Sequence, residues 1–278
     1  MKSFKSQLSE AAGKNTHMIH IEDLILDGGV KGARQAILAL RSLRDMLSGN
    51  AKSAVDVTVK WDGAPAVFAG QDPSDGEFFI AKKGVFNKNP KVYKSHEDIE
   101  ADTDGDLAKK LKMAYTYLKP LGITGVIQGD FMFDKSDLKT ENIGGVKHIV
   151  FHPNTIAYAV PSGSDLSKVI LRAKIGIVWH TVYSGSSFET MTASFGQEIA
   201  TKLRPSKDVW MQDATLDDLS GTATLTKSET EALNNKLSEA GKLFRKISGS
   251  TLKELESNKE LNLVINVYNN RKVREGQR

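Results

Sequence analysis

The 278-residue chain has no cysteine, which excludes disulfides, thiolate metal sites and cysteine nucleophiles and fits a reducing compartment. It has no apolar run near the roughly 20 residues that span a bilayer, and Met1-Lys2-Ser3-Phe4 opens no signal peptide. The expected location is the cytoplasm. It also lacks a strong charge of one sign. Lysine and arginine total 38 against 34 acids, a net +4, too little for genome-coating behaviour. Internal repeats and low-complexity tracts are absent as well. What remains is enough for a real core: 40% of the residues are hydrophobic, and the length suits one large or two modest domains.

Hydrophobic spacing divides the chain in three. Residues 1–50 read as a helical segment, with Ala33, Ile37, Leu40, Leu43 and Leu47 recurring at three and four and Gly49 placed to end the helix. Residues 51–215 alternate strand patterns with one helix, Asp106 to Leu118, whose face carries Leu107, Leu111, Ala114, Tyr115 and Leu118. Residues 216–278 return to helix, with Leu233, Leu237, Ala240, Phe244 and Ile247 on one side between Thr226 and Ile247.

The most informative segment is Lys60-Trp61-Asp62-Gly63. Before it, Val55, Val57 and Val59 alternate with Asp56 and Thr58, and after it comes Ala66-Val67-Phe68-Ala69; both read as strands. The spacing predicts a hairpin with Lys60 at its mouth and Gly63-Ala64-Pro65 as a stiff turn that lets a phosphate approach the backbone. A lysine there is a candidate nucleophile once burial or a neighbouring cation disfavours its charged form. Asp62 is a candidate ligand for a ribose hydroxyl. Lys, Asp and Gly at this spacing arise by chance in such a chain with a probability on the order of 5 per cent, so the weight falls on the pieces downstream.

Those pieces are two strand patterns. Glu77-Phe78-Phe79-Ile80-Ala81 runs into Lys82-Lys83-Gly84, and Gly125-Val126-Ile127-Gln128-Gly129-Asp130-Phe131-Met132-Phe133 is apolar but for one Gly-Asp. A carboxylate inside such a run is costly to bury without a cation or hydrogen bonds, which marks Asp130 as a metal or ribose ligand.

In this order the chain resembles the covalent nucleotidyltransferase superfamily, the ATP-dependent DNA and RNA ligases and messenger-RNA capping enzymes, and within it a bacteriophage branch. Lys60, Asp62 and Gly63 match the family's first motif. Lys82-Lys83-Gly84 stands where a basic residue precedes glycine, usually as arginine, and Gly129-Asp130 stands where Gly-Glu ends a strand. The strand from Ile175 to Tyr183, with Trp179, corresponds to the family's strand bearing a base-stacking aromatic, with Phe151 to Val160 as a rival. No clean copy of the two late motifs is present, although Lys174-Ile175-Gly176-Ile177-Val178 and Arg172-Ala173-Lys174 imitate them.

The resemblance covers roughly residues 50–185. It implies an α+β fold, an adenylation-type core of mainly antiparallel sheets with flanking helices and the nucleotide in the cleft between. It implies ATP and Mg2+ as cofactors and a nucleic-acid partner, RNA or DNA ends joined through a lysyl-AMP on Lys60. Asp62 and Gly63 would position ribose and phosphate, Lys83 and Lys174 would touch the nucleotide or its phosphates, Asp130 would serve ribose or metal, and Trp179 would stack on the base.

Two readings from other classes stand beside this one: a nucleic-acid-binding module that keeps the fold without reacting, and a structural phage component with no ligand. The first draws on residues 81–95, which hold Lys82, Lys83, Lys88, Lys91 and Lys94, no acid, and the aromatics Phe86 and Tyr93, a composition suited to phosphate contact and base stacking. His17 and His20 lack the spacing of a zinc helix and take no chemistry. His180 reads as a partly buried histidine with its hydrogen bonds satisfied.

Overall fold

The computed structural model describes residues 21, 23–50, 59–215 and 225–274. In chain order it contains helix α1 (Asp23–Leu47), strands β1 (Ala66–Gln71) and β2 (Phe78–Ala81), and helices α2 (His96–Asp102) and α3 (Gly105–Leu118). Strands β3 (Val126–Asp134), β4 (Lys139–Ile143), β5 (Val146–Phe151) and β6 (Tyr158–Pro161) follow, then helix α4 (Asp165–Arg172). Strands β7 (Ile175–Ser184), β8 (Thr192–Phe195) and β9 (Val209–Asp213) precede helices α5 (Lys227–Phe244), α6 (Gly249–Ser257) and α7 (Lys259–Arg274). The fold is mixed α+β, and among the described strands only the β7–β9 pair is parallel. No described helix is long and apolar enough to cross a membrane.

The described residues fall into two compact units, one within residues 57–217 and the other within residues 17–56 and 218–278. In the second unit α1 packs against α5 and α6, burying Leu26, Ala33 and Ala36. Its helical geometry is interrupted at Gly29, where φ is +50°, a conformation that a side chain disfavours. Leu225 N–H donates to the Leu47 carbonyl at 2.8 Å. Helix α5 then opens with a capping box, the Thr226 hydroxyl on the Glu229 amide and the Glu229 carboxylate on the Thr226 amide, satisfying two of the four orphan donors of a helix start. The described parts of the segments read as helical, residues 23–50 and 225–274, therefore belong to one unit.

In the first unit a six-stranded sheet runs β2-β1-β3-β7-β8, with β9 also on β7. Strands β8 and β9 share the far edge of β7: β9 pairs with Ile175–Trp179 and β8 with Thr181–Ser184, so they part at His180. One face of the sheet, through Val67, Ala69, Ile80, Ile127, Phe131, Ile177 and Trp179, packs on Ile99 of α2 and on Leu111, Ala114 and Leu118 of α3. The other face carries two separate clusters. Met132 and Val178 pack with Ile149 and Phe151 of the small β4-β5-β6 sheet, Ile170 of α4 and Trp210. Phe68, Phe79, Ala81, Val126 and Tyr183 pack with Phe188 and Met191.

The expected hairpin around Lys60 does not form. Both edges of β1 are taken, by β2 and β3, and the Val59 amide donates instead to the Ala214 carbonyl at 2.8 Å, just past β9. Alternation and a glycine-proline pair looked like two strands and a turn, but the chain crosses from the β9 side of the sheet to β1. The remaining expected strand residues, 55–58, lie outside the described residues, as do His17 and His20.

Candidate active site

Alternation along β3 builds the site. Val126 belongs to one cluster of the open face and Met132 to the other, so Gln128 and Asp130, two and four residues on from Val126, occupy the gap between them. The Tyr183 hydroxyl donates to Gln128 Oε1 at 2.7 Å. Across the gap, His180 Nε2 lies 3.8 Å from Asp130 Oδ1, with the two side chains 16% and 17% exposed, and His180 Nδ1 is 2.7 Å from the Thr181 hydroxyl. These are half-buried polar side chains on a strand face that apolar groups cover on both sides, the usual character of a binding cleft.

The Lys60 segment lies against this gap. Gly63 packs so closely on β3 that an added Cβ would come within 2.4 Å of Asp130 Cβ and 2.9 Å of Met132 Sδ. Hydrogen bonds of 3.0 Å from Ala64 N–H to the Phe131 carbonyl and from Phe131 N–H to the Pro65 carbonyl complete the docking. A second glycine, Gly129, sits beside a register shift between β3 and β7, and a Cβ there would meet the Val178 carbonyl at 2.6 Å. The shift therefore needs glycine to keep β7 in place beside Asp130.

Asp62 is fastened to the β5–β6 connection. Its carboxylate accepts from Asn154 Nδ2 at 3.0 Å, from the Thr155 and Ile156 amides at 2.8 and 3.1 Å, and from the Thr155 hydroxyl. Led by the Thr155 hydroxyl, these bonds hold the Asp62 carboxyl down at about 2, as donors to an ionised carboxylate do. The Asp62 amide donates to the Tyr158 hydroxyl at 2.8 Å, and the Tyr158 ring stacks on Trp61 with centroids 5.2 Å apart. Trp61 meets Trp210 edge-on at 6.3 Å. Lys60 is left exposed between these half-buried residues and Val59, without the burial that the sequence reading offered as one way to favour its neutral form.

The other expected site residues scatter. The β1–β2 register pairs Phe68 with Ala81, so β2 runs out toward Ala66, the partner of Asp130. The exposed Lys83 follows two residues later, at the Asp130 end of the sheet. Trp179 is fully buried in the α3-side core, leaving no free face for a base. Lys174, exposed, precedes β7, and its amide donates to the Asp208 carbonyl at 2.7 Å.

The basic stretch is largely neutralised. Lys82 and Lys91 pair with Asp102 at 3.0 and 2.5 Å, and Lys94 pairs with Asp72 at 2.9 Å and also with Asp75. Lys83 and Lys88 remain exposed. Gln128, Thr155 and Tyr158 stand in strand and turn patterns of the sequence with no motif that marks them as site residues. Only a contact between segments about 90 residues apart brings the last two to Asp62.

An open groove along α2 and α3, lined by His96, Glu100, Lys112 and Thr116, spends its polar groups on one another through Lys112–Glu100 at 2.7 Å and His96–Thr116 at 2.9 Å. Among the described residues no group of three or more His, Asp or Glu side chains is placed to hold a metal. Residues 15–278 match a family described as a family of unknown function, DUF6267. No curated protein and no solved structure matches the chain.

Proposed function

The chain belongs to this family of unknown function, DUF6267, and since that membership carries no reaction with it we propose one from the site: Lys60 is the nucleophile of a nucleotidyltransferase that joins RNA or DNA ends through a lysyl-AMP. The observation that carries the reading is the exposure of Lys60 between anchored neighbours, with Gly63 of the same segment seated on Asp130. The neutral amine attacks the α-phosphorus of ATP in line. A phosphorus–nitrogen bond forms, the bond to pyrophosphate breaks, and the amine proton passes to solvent. The AMP then moves to a 5′-phosphate end, and a strand's 3′-hydroxyl displaces it to close the phosphodiester.

The neighbouring residues take parts that suit their places. Asp130, one oxygen 3.8 Å from His180, accepts from a ribose hydroxyl, and Lys83 meets phosphate. Magnesium fits as an ion that arrives on the nucleotide phosphates, because one or two carboxylates usually complete its shell and Asp130 offers one oxygen-donor side chain in the gap. When bound it offsets negative charge on the leaving pyrophosphate.

The test is incubation of the purified chain with magnesium and ATP, GTP in parallel, followed by intact mass and peptide mapping. Addition of one AMP at Lys60, absent from a folded Lys60→Ala variant, is the expected result; no adduct, or an adduct that survives Lys60→Ala, overturns the reading.

One observation favours a second reading. Lys174 stands four residues along β7 from Val178, the partner of Asp130, or roughly 13 Å at strand spacing, which is far for a side chain that grips the same triphosphate. A non-reacting nucleic-acid-binding module would show salt-sensitive binding of DNA or RNA with no binding of ATP.

A further inference from the structure

The Lys60 segment is held at two points. On one side the Val59 amide is bonded to Ala214 at 2.8 Å, whose own amide is bonded to the Trp179 carbonyl at 2.8 Å; on the other, Asp62 is bonded to residues 154–156 through its side chain and to Tyr158 through its amide. Both carboxylate oxygens of Asp62 are engaged: Oδ1 receives Asn154, and Oδ2 receives both donors of Thr155 together with the Ile156 amide. At Oδ2, which three donors already crowd, a ribose hydroxyl would have to displace charge-assisted bonds, each stronger than a neutral one; Oδ1 accepts Asn154 alone. Lys60 is separated from the Val59 anchor by no residue and from Asp62 by one.

We propose that Asp62 is a positioning residue and that Thr155, with Asn154 and Tyr158, is the other half of a clamp that sets where the Lys60 amine points. The clamp rests on the reading of Lys60 as the reacting group, but its physical content is independent of any nucleotide. It assigns the β5–β6 connection a part in the chemistry: that connection contributes no reacting atom, yet it fixes the backbone from which the nucleophile projects. The tie is narrow. Thr155 supplies two of the four bonds on the carboxylate, one of them from its side chain, so a single hydroxyl can be removed while the backbone donors stay.

The experiment is trace acetylation of all lysines with acetic anhydride at one fixed pH, with rates read peptide by peptide in the full chain without nucleotide. The variants are Thr155→Val, Thr155→Ser, Tyr158→Phe and Asp62→Asn, with far-ultraviolet circular dichroism as the check on folding. Exposed Lys88 is the internal reference. In the native protein the acetylation rate of Lys60 divided by that of Lys88 gives the reference ratio. In Thr155→Val and Asp62→Asn that ratio changes, Thr155→Ser restores it, and Tyr158→Phe, which keeps the ring on Trp61, moves it part of the way. A Lys60-to-Lys88 ratio identical in the native protein and every folded variant overturns the clamp, whatever the protein does with ATP.

Where the native protein forms the adduct, Thr155→Val lowers its rate at saturating ATP roughly 10- to 100-fold, the cost of a misplaced reacting group, and leaves the half-saturating ATP concentration unchanged. A change confined to half-saturation makes Asp62 a nucleotide ligand and overturns the proposal. Absence of the adduct from the native protein bears on the proposed reaction alone, because the acetylation ratio still decides the clamp.

Discussion

Asp62 and Thr155, 93 positions apart in sequence, are joined twice: the carboxylate accepts the Thr155 amide at 2.8 Å and its hydroxyl as well. The pair acts on an ionised carboxylate, so it carries an acid dependence with a definite sign. The folded carboxyl is depressed from 3.8 to about 2. Its contribution is therefore complete above the unfolded value and is lost as pH falls through the folded one. Tryptophan fluorescence, to which Trp61 beside Tyr158 contributes, should hold steady down to about pH 4 in the native protein and change between there and about 2. Asp62→Asn should remove that step.

Gly63→Ala should destabilise the first unit. The added methyl meets Asp130 Cβ at 2.4 Å and the Phe131 carbonyl at 3.1 Å, and the backbone it would displace is tied on both sides of β3. Overpacking of this kind costs about 1–3 kcal/mol, measurable as a lower denaturant midpoint with an unchanged slope.

Asp102→Asn should cost about 1–2 kcal/mol, combining a weakened acceptor for the Tyr93 hydroxyl, now 2.6 Å away, with two partly exposed ion pairs. The difference from the native protein should narrow in 1 M salt, since surface pairs are screened while the tyrosine bond is not. An equal difference at both salt concentrations would place the whole effect in the tyrosine.

Trp179→Ala should cost about 3–5 kcal/mol, as removal of a large buried ring does, because the indole is wholly enclosed by the α3-side core. Calorimetry or chemical denaturation measures the loss. A cost below about 1 kcal/mol would contradict burial and return the ring to a candidate base-stacking surface.

The strands were legible wherever the apolar pattern was local. The run from Val126 to Phe133 and that from Ile175 to Tyr183 are β3 and β7. The expected face of α3 was nearly correct: Leu111, Ala114 and Leu118 are buried, but Ala108 takes the place given to Leu107, which is 37% exposed. Both lie one turn before Leu111, and only the packing partner selects between them. The lysines of residues 82–94 show why charge is harder to read than apolarity. Their count is visible in sequence, but Asp72, Asp75 and Asp102 reach them through the tertiary fold. The Lys60 segment misled for a related reason: valine alternation, glycine and proline describe local backbone, and both a hairpin turn and a crossing use them. Asp62 gave no sign of Thr155, because a carboxylate's partners leave no periodic trace.

The grouping of α1 with α5 and α6 orders events during synthesis. Chains emerge N-terminus first and domains generally form as units, so α1 leaves the ribosome long before the helices it packs against, and every strand of the sheet unit is made in the interval. The sheet unit can close while α1 is still waiting, and the helices that pack against it, α5 and α6, are made only after every strand. A chain that stops before α5 would thus lack both helices against which the apolar face of α1 packs.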